Sequence, residues 1–266
     1  MKLIHLTDLH IAVNRPEPAL AGTADRTRQA IAEINALHGD AELCIITGDI
    51  VADPDPASYD LAQDIISELS MPTVGLLGNH DDRDMARRQL SCVAETSDGF
   101  LQQAIPTSRG LFLTLDTLAE GTHAGMLCDK RLEWVSQHLS AHPGPVWIFM
   151  HHAPFATGLA AMDSIGLDRD AANKLGDLLT KHGNVAHLFF GHYHRPMSGV
   201  WRGIPFSSHR SMMLQCALDL VTEHEVNAIY EEPQYAVVLA DDERTVVHYH
   251  DFAANAVRVS MGSASG

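Results

Sequence analysis

Short apolar runs alternate with amphipathic segments along the first two-thirds of the chain. Six apolar runs are short enough to form strands: 3–7, 43–47, 73–77, 111–116, 146–150 and 186–190. Apolar positions at helical spacing predict four longer helices: 24–38, 56–69, 131–139 and 168–181. Apolar strands joined by helices are typical of an α/β fold, in which helices cover both faces of a sheet.

Five of these apolar runs end directly in polar side chains. The five clusters are Asp8-x-His10, Gly48-Asp49, Gly78-Asn79-His80-Asp81, His151-His152 and Gly191-His192-Tyr193-His194. Since α/β folds carry their sites in the loops at the carboxyl ends of strands, we expect all five clusters at one edge of one sheet. In an extended backbone, residues i and i+2 point to the same side. Asp8 with His10, and His192 with His194, are therefore expected to grip a common ligand.

The side chains in these clusters are carboxylates, one amide and several imidazoles. Oxygen and nitrogen donors in this mixture suit Mn, Fe, Co or Zn better than Ca or Mg. The donors exceed the needs of one ion, which predicts two ions a few ångström apart. Such a pair activates a bridging water for in-line attack on phosphorus.

In this order and spacing, the clusters resemble the signature of the calcineurin-like metallophosphoesterase superfamily, across residues 1–195. Within it the chain is similar to the bacterial class III cyclic nucleotide phosphodiesterases and the dinuclear glycerophosphodiesterases. The resemblance implies a four-layer sandwich of two central β-sheets flanked by helices. The sequence departs from the family at Ala153, where a proline is common after the paired histidines.

The resemblance also implies a role for each clustered residue. The first ion would be held by Asp8, His10, Asp49 and His194. The second would be held by Asn79, His151, His192 and the bridging Asp49. His80 would stand beside the ions as a catalytic partner of the leaving group, with Asp49 as the second catalytic residue. Asp81 is expected to orient a histidine, while the roles of His123, His152 and His209 stay open between substrate contact and structure.

The pattern changes after about residue 195, where strand-like runs replace the alternation. The expected strands are 211–220, 235–240 and 245–252. We therefore expect residues 1–210 to form the catalytic core and residues 211–266 to form a β-rich part that completes it. Because the resembling phosphodiesterases are homodimers or higher assemblies, this C-terminal part is also expected to carry an oligomer contact.

The charge balance excludes some classes of partner. The chain has 18 Lys and Arg against 34 Asp and Glu, a net charge of −16, which disfavours duplex nucleic acid and polybasic membrane binding. No run approaches the ~20 apolar residues that span a bilayer. The four cysteines lie far apart, as free thiols in a reducing cytoplasm would. We expect a cytoplasmic protein.

The expected function is the hydrolysis of small phosphodiesters, of the cyclic nucleotide or glycerophosphodiester type, by a metal-bridging hydroxide. A phosphomonoesterase or protein phosphatase of the same superfamily would share the metal site, so the motifs leave it open. A non-catalytic scaffold with this fold is a third reading. Such scaffolds typically lose metal ligands, and here none of the expected ligands is missing.

Overall fold

A computed structural model of the chain describes residues 1–13, 15, 17 and 19–253. The strands found in this part are β1 (Lys2–Leu6), β2 (Leu43–Thr47), β3 (Thr73–Leu76), β4 (Gln103–Thr107), β5 (Gly110–Thr114), β6 (Val146–Met150), β7 (Val185–Phe190), β8 (Met197–Trp201), β9 (Ile204–Ser208), β10 (Gln215–Cys216), β11 (Ala228–Ile229), β12 (Tyr235–Ala240) and β13 (Thr245–His250). The helices are α1 (Thr23–His38), α2 (Pro56–Ile66), α3 (Arg83–Gln89), α4 (Asp129–Ala141), α5 (Ala160–Asp163) and α6 (Arg169–His182).

Two large sheets form the centre of the molecule. The first has the order β13-β12-β1-β2-β3, and the second has the order β4-β5-β6-β7-β9-β8. The strands β1, β2 and β3 run parallel to one another, as do β5, β6 and β7. Antiparallel strands extend the first sheet beyond β1 and form both edges of the second sheet. The predicted α/β fold with two central sheets flanked by helices is thus confirmed.

The apolar side chains divide into three buried layers. Between the sheets, Leu3 and Ile45 of the first sheet pack in one cluster with Phe149 and Phe189 of the second. The rings of Phe149 and Phe189 stack with centroids 4.8 Å apart. A second cluster buries one face of α1 and α2 on the outside of the first sheet, and a third buries α4 and α6 on the second sheet. This burial on both faces explains why these strands are largely apolar.

One expectation about the site is wrong in its geometry. The five polar clusters do not share one sheet, because β1, β2 and β3 belong to the first sheet and β6 and β7 to the second. The carboxyl ends of these strands meet across the gap between the sheets. Apolar runs of this length cannot show which sheet a strand joins, since both sheets are buried on both faces.

The expected strand over 211–220 is also wrong, because only Gln215–Cys216 pairs there, with β11. The Gln215 amide bonds the backbone of Ser211 and Met213, and this local bonding competes with a ladder. The expectations for 235–240 and 245–252 correspond to β12 and β13. Since β12 pairs with β1, the C-terminal part extends the first sheet. Residues 254–266 of that part lie outside the described chain.

Candidate metal centre

The loops after five strands bring the predicted ligand residues together where the two sheets meet. Asp8 and His10 follow β1, Asp49 follows β2, Asn79 follows β3, His151 follows β6, and His192 and His194 follow β7. Within these seven residues the side chains of Asp8, His10, Asp49, His151 and His192 are buried. Buried carboxylates and imidazoles at such density need compensating charge or coordination.

Four of these side chains form one compact group. One ligand atom from each of Asp8, His10, Asp49 and His194 lies within 4.8 Å of all the others. His194 Nε2 is 3.3 Å from Asp8 Oδ1, and His10 Nε2 is 3.6 Å from Asp49 Oδ2. The Nε2 atoms of His10 and His194 face each other at 3.0 Å. These are the residues that the family resemblance assigns to the first ion.

The remaining predicted ligands form a second group beside Asp49. His151 Nε2 lies 3.3 Å from Asp49 Oδ2 and 3.2 Å from Asn79 Oδ1. Ligand atoms of His151 and His192 lie within 4.8 Å of each other, with His152 as a third member of that group. Asp49 Oδ2 therefore lies between His10 of the first group and His151 of the second.

The backbone of the ligand loops is left-handed, and the expected extended grip is wrong. Asp8, His10, Asp49, His192 and His194 have φ angles of 51°, 45°, 49°, 70° and 44°. Non-glycine residues rarely adopt such angles, and each costs roughly 1–3 kcal/mol unless its surroundings impose it. Here the loops support one another, since Asp8 N donates to Gly48 O at 3.0 Å and His10 N donates to Asp49 O at 2.9 Å.

Two glycines leave room for the close approach of these loops. A Cβ atom at Gly78 would collide with Asp49 Oδ1, and one at Gly191 would collide with Thr7 Oγ1. Neither glycine has a positive φ, so the requirement is for space and not for an unusual backbone angle. Of the glycines before Asp49, Asn79 and His192, only Gly48 has a positive φ, of 88°.

Backbone carbonyl groups fix the orientation of two ligand imidazoles. His151 Nδ1 donates to Thr47 O at 2.8 Å, and His194 Nδ1 donates to Leu214 O at 2.8 Å. Because a carbonyl oxygen only accepts, each Nδ1 carries a proton and each ring turns its Nε2 atom toward the carboxylates. This is the usual arrangement of a metal-ligating histidine.

The charges of the two groups favour cations at this site. Burial opposes ionisation of Asp8 and Asp49, yet His194 and His151 hold both carboxyl pKa values below their usual range. Burial also opposes the His151 cation, but Asp49 and Asp8 together outweigh it and raise the pKa of His151 to about 9. Burial lowers the pKa of His10 to about 3. The centre therefore combines two buried carboxylates with two kinds of imidazole. The pKa is raised in His151 and His194, which face the carboxylates closely, and lowered in His10.

The residues present fit divalent metal ions. The buried His192 Nε2 has no hydrogen-bond partner within the described part of the chain. The Nε2 atoms of His151 and His194 each face a carboxylate oxygen, and a metal ion between them would take the place of a proton shared by that pair. Hard carboxylate oxygens together with imidazole nitrogens are donors that Mn, Fe, Co and Zn accept.

His80 and His123 line the open side of the centre. His80 N donates to Asp49 Oδ1 at 2.9 Å, and its ring Nδ1 donates to Ala52 O at 2.8 Å. The Nε2 atom of His80 thus stays available to a bound molecule. Asn79 Nδ2 donates to His123 Nδ1 at 3.0 Å, which turns Asn79 Oδ1 toward His151. His123 is exposed, so it can also contact a substrate.

Three other residues have roles that the sequence left open or misassigned. His152 is buried and has both ring nitrogens bonded, Nδ1 to Thr117 and Nε2 to the His123 carbonyl oxygen. His209 is fully buried and cannot reach a substrate. Asp81 does not orient a histidine: it accepts hydrogen bonds from the backbone N–H groups of residues 50, 51 and 78. Asp81 thereby ties the loop that carries Asp49 to the loop that carries Asn79.

A cavity of about 270 Å³ opens over the ligand residues. Its floor includes Asp49, His192 and His194, and His80 and His123 lie at its side. Its apolar wall consists of Met162, Ile165, Met213, Leu214, Val226 and Ala228. The sequence showed no sign of this wall, because its residues come from segments far apart in the chain and have no common pattern.

Comparisons with known proteins agree with this geometry. A family model described as calcineurin-like phosphoesterase matches residues 1–196. A probable cyclic nucleotide phosphodiesterase of Rhodopseudomonas palustris is 36% identical over 256 residues, covering 95% of this chain and 93% of that protein. A probable glycerophosphodiester phosphodiesterase GpdQ of Arcobacter nitrofigilis is 31% identical over 209 residues, covering 76% and 75%.

Solved structures share the fold at much lower identity. A purple acid phosphatase from yellow lupin seeds superposes with a TM-score of 0.70 and 12% identity, over 97% of this chain and 52% of that one. The likeness at this identity concerns the architecture alone. In the described part of the chain, no helix combines the length and the hydropathy that a bilayer crossing needs.

Proposed function

The chain belongs to the calcineurin-like phosphoesterase family of enzymes, and from this premise we propose that it hydrolyses small phosphodiesters at a centre of two divalent metal ions. The observation that carries the proposal is the pair of ligand groups that share Asp49, beneath a cavity large enough for a small molecule. The two groups lie side by side, as a two-ion centre requires.

The ligands of the two ions follow from the two groups. Asp8, His10, Asp49 and His194 would hold the first ion, and Asp49, Asn79, His151 and His192 would hold the second. Asp49 serves both because its Oδ2 lies between His10 and His151. When bound, two such ions supply an activated water and positive charge for the phosphoryl oxygens. The donor set suits Mn, Fe, Co or Zn.

The side chains around the ions have separate tasks. Asp49 Oδ1 accepts from His80 N, which keeps the His80 ring at the edge of the cavity. Because Nδ1 of His80 donates a hydrogen bond to Ala52 O, the ring can give a proton to a leaving oxygen only through Nε2. His123 orients the Asn79 amide and limits the cavity on the same side. The buried Asp81 holds the two loops in register.

The charge of the cavity favours a diester over a monoester. The described residues lining the cavity over the ligands include no lysine or arginine. Arg83 lines a neighbouring cleft, but its guanidinium is occupied by Asp116 at 2.8 Å and by Glu120 at 3.1 Å. A monoester dianion needs more cationic contacts than a diester monoanion. The printed names of the relatives, a cyclic nucleotide and a glycerophosphodiester phosphodiesterase, point to the same substrate class.

The test is a substrate panel on protein reconstituted with Mn, Fe, Co or Zn. We expect bis(4-nitrophenyl) phosphate to be hydrolysed with a higher kcat/KM than 4-nitrophenyl phosphate. Cyclic nucleotides and glycerophosphodiesters are then assayed under the same conditions. A preference for the monoester would favour a phosphomonoesterase of the same family. A protein that binds no metal would point to a scaffold.

We also propose that copies of the chain associate through the C-terminal part, residues 211–266, while residues 1–210 form the catalytic core. The supporting observation is a set of exposed apolar side chains in that part, among them Leu218, Val221 and Tyr230 at 64%, 85% and 79% exposure. We propose that the protein is located in the cytoplasm, where a reducing environment keeps cysteines as the free thiols found here. Light scattering at micromolar concentration tests the association, and a monomeric mass would contradict it.

A further inference from the structure

A line of buried polar side chains leads from between the sheets to the Asp8 carboxylate. Thr7 Oγ1 donates a hydrogen bond to Asp8 Oδ2 at 2.7 Å. Thr47 Oγ1 donates to Thr7 Oγ1 at 2.8 Å, and His5 Nε2 lies 2.8 Å from Thr47 Oγ1. None of these four residues is more than 1% exposed. Water cannot replace any partner in this line, so each hydrogen bond depends on the next residue.

The acceptor at the end determines the direction of every hydrogen bond in the line. An ionised carboxylate only accepts, so the single hydroxyl proton of Thr7 points to Asp8. The Thr7 oxygen then accepts from Thr47, which uses the only hydroxyl proton of Thr47. The Thr47 oxygen can accept once more, so neutral His5 carries its proton on Nε2 and donates it. All three hydrogen bonds thus point toward Asp8.

The hydrogen bond from Thr7 selects which Asp8 oxygen faces the metal centre. Thr7 holds Oδ2, while Oδ1 lies 3.3 Å from His194 Nε2. Gly191 makes this approach possible, because a Cβ atom there would collide with Thr7 Oγ1 and would lie 2.9 Å from Asp8 Oδ2. Together with the backbone N–H of His192, which donates to Asp8 Oδ1 at 3.0 Å and to Oδ2 at 3.1 Å, Thr7 fixes the orientation of the Asp8 carboxylate.

Thr47 reaches the centre by a second route through its backbone. Its carbonyl oxygen accepts from His151 Nδ1 at 2.8 Å, and this fixes the imidazole that faces Asp49. One residue at the end of β2 thus orients Asp8 through its hydroxyl and His151 through its carbonyl. Only the hydroxyl can be removed by substitution, which separates the two effects in an experiment.

We propose that Thr7 and Thr47 are positioning residues of the metal centre, whose hydroxyl groups, oriented by His5, hold the Asp8 carboxylate as a ligand of the first ion. The inference rests on the proposed function, because it takes Asp8 as a ligand. Groups that orient metal ligands typically change metal affinity by about 10- to 100-fold when removed. The hydrogen bond to Asp8 is charge-assisted and dry, which makes it a strong one.

The experiment measures metal affinity by calorimetric titration of the metal-free protein with Mn²⁺. We expect Thr7→Val to weaken one of the two binding events by about 10- to 100-fold, and Thr7→Ser to restore it, since serine keeps the donor. Thr47→Val should weaken the same event, less strongly because Thr7 still donates to Asp8. Thr27→Val is the matched control, since its buried hydroxyl donates within α1, to the Thr23 carbonyl oxygen at 2.8 Å, and not to a ligand side chain.

The outcomes separate this inference from the proposed function. Equal Mn²⁺ affinity in Thr7→Val and Thr27→Val, with circular dichroism showing both folded, would overturn the inference. So would a Thr7→Ser variant that binds no better than Thr7→Val, because bulk and not the hydroxyl would then matter. A wild-type protein that binds no Mn²⁺ overturns the inference as well. Protein that binds Mn²⁺ but hydrolyses no diester overturns the proposed function alone.

Discussion

Replacing Asp81 with alanine should destabilise the protein strongly, because its buried carboxylate ties two of the ligand loops together. The Asp81 carboxylate is 6% exposed and accepts from three backbone N–H groups, at 3.1 Å from Ile50, 3.2 Å from Val51 and 2.9 Å from Gly78. Each buried donor left unsatisfied costs about 1–3 kcal/mol. The sum for three donors is at least about 3 kcal/mol of unfolding free energy.

Two further variants calibrate this magnitude. Asp81→Asn keeps one acceptor oxygen for Ile50 and Val51 but places an amide donor near the Gly78 N–H, so it should cost about 1–3 kcal/mol. Asp82→Ala is the neighbouring control, because Asp82 caps α3 through one hydrogen bond, from Met85 N at 2.7 Å. Loss of such a cap costs about 0.5–2 kcal/mol.

Urea denaturation in the presence of a chelator is the appropriate assay, because a bound metal would add stability by mass action. The expected order of destabilisation is Asp81→Ala, then Asp81→Asn and Asp82→Ala. If Asp81→Ala costs no more than Asp82→Ala, the three backbone contacts do not hold the loops. The reasoning from unsatisfied donors would then be refuted.

Three other changes test the centre and its surroundings. His80→Ala should keep its metal content and lose about 10²–10⁴-fold in kcat, more for an alkoxide leaving group than for 4-nitrophenolate; equal losses would exclude general-acid catalysis. Metal analysis should show that Asp49→Ala loses both ions and that His192→Ala weakens mainly one, and similar small losses would contradict the bridging role of Asp49. Burial lowers the pKa of His187 from 6.5 to about 4, so the unfolded chain takes up this proton first and stability falls as the pH drops through that window. His187→Gln should therefore lose less stability than wild type between pH 7 and pH 4.5 in urea denaturation, and an equal loss would contradict a neutral buried His187.

The strands could be predicted because each is largely apolar and stops at a polar residue. The runs at 43–47 and 146–150 coincide with β2 and β6, and those for β3 and β7 differ by one residue at one end. The run for β1 is shifted by one residue, and the run for β5 starts one residue and ends two residues too late. The ligand clusters were visible for the same reason, since Asp, Asn and His appear abruptly after buried segments. The split into two sheets was not visible in the strands themselves, because a buried parallel strand has the same apolar pattern in either sheet.

The conformation of the ligand loops could not be predicted from local sequence. Asp and His adopt a positive φ more often than most residues but still uncommonly, and contacts with Gly48, Asp49 and His192 hold Asp8 and His10 there. The roles of Thr7 and Thr47 were missed although a signal was present. In both loops a threonine precedes the ligand aspartate, as Thr7-Asp8 and as Thr47-Gly48-Asp49. A buried threonine at the end of an apolar strand is a polar group that needs a partner.

The seam between the two sheets passes directly through the proposed metal centre. The first ion would take Asp8, His10 and Asp49 from loops of the first sheet and His194 from a loop of the second. The second ion would likewise join Asp49 and Asn79 to His151 and His192. Each ion would thus cross-link two halves that are otherwise joined by apolar packing and a few hydrogen bonds, such as the one from His151 Nδ1 to Thr47 O. Removing the ions should speed amide hydrogen exchange along this seam first, so metal supply would affect the stability of the sandwich together with its catalysis.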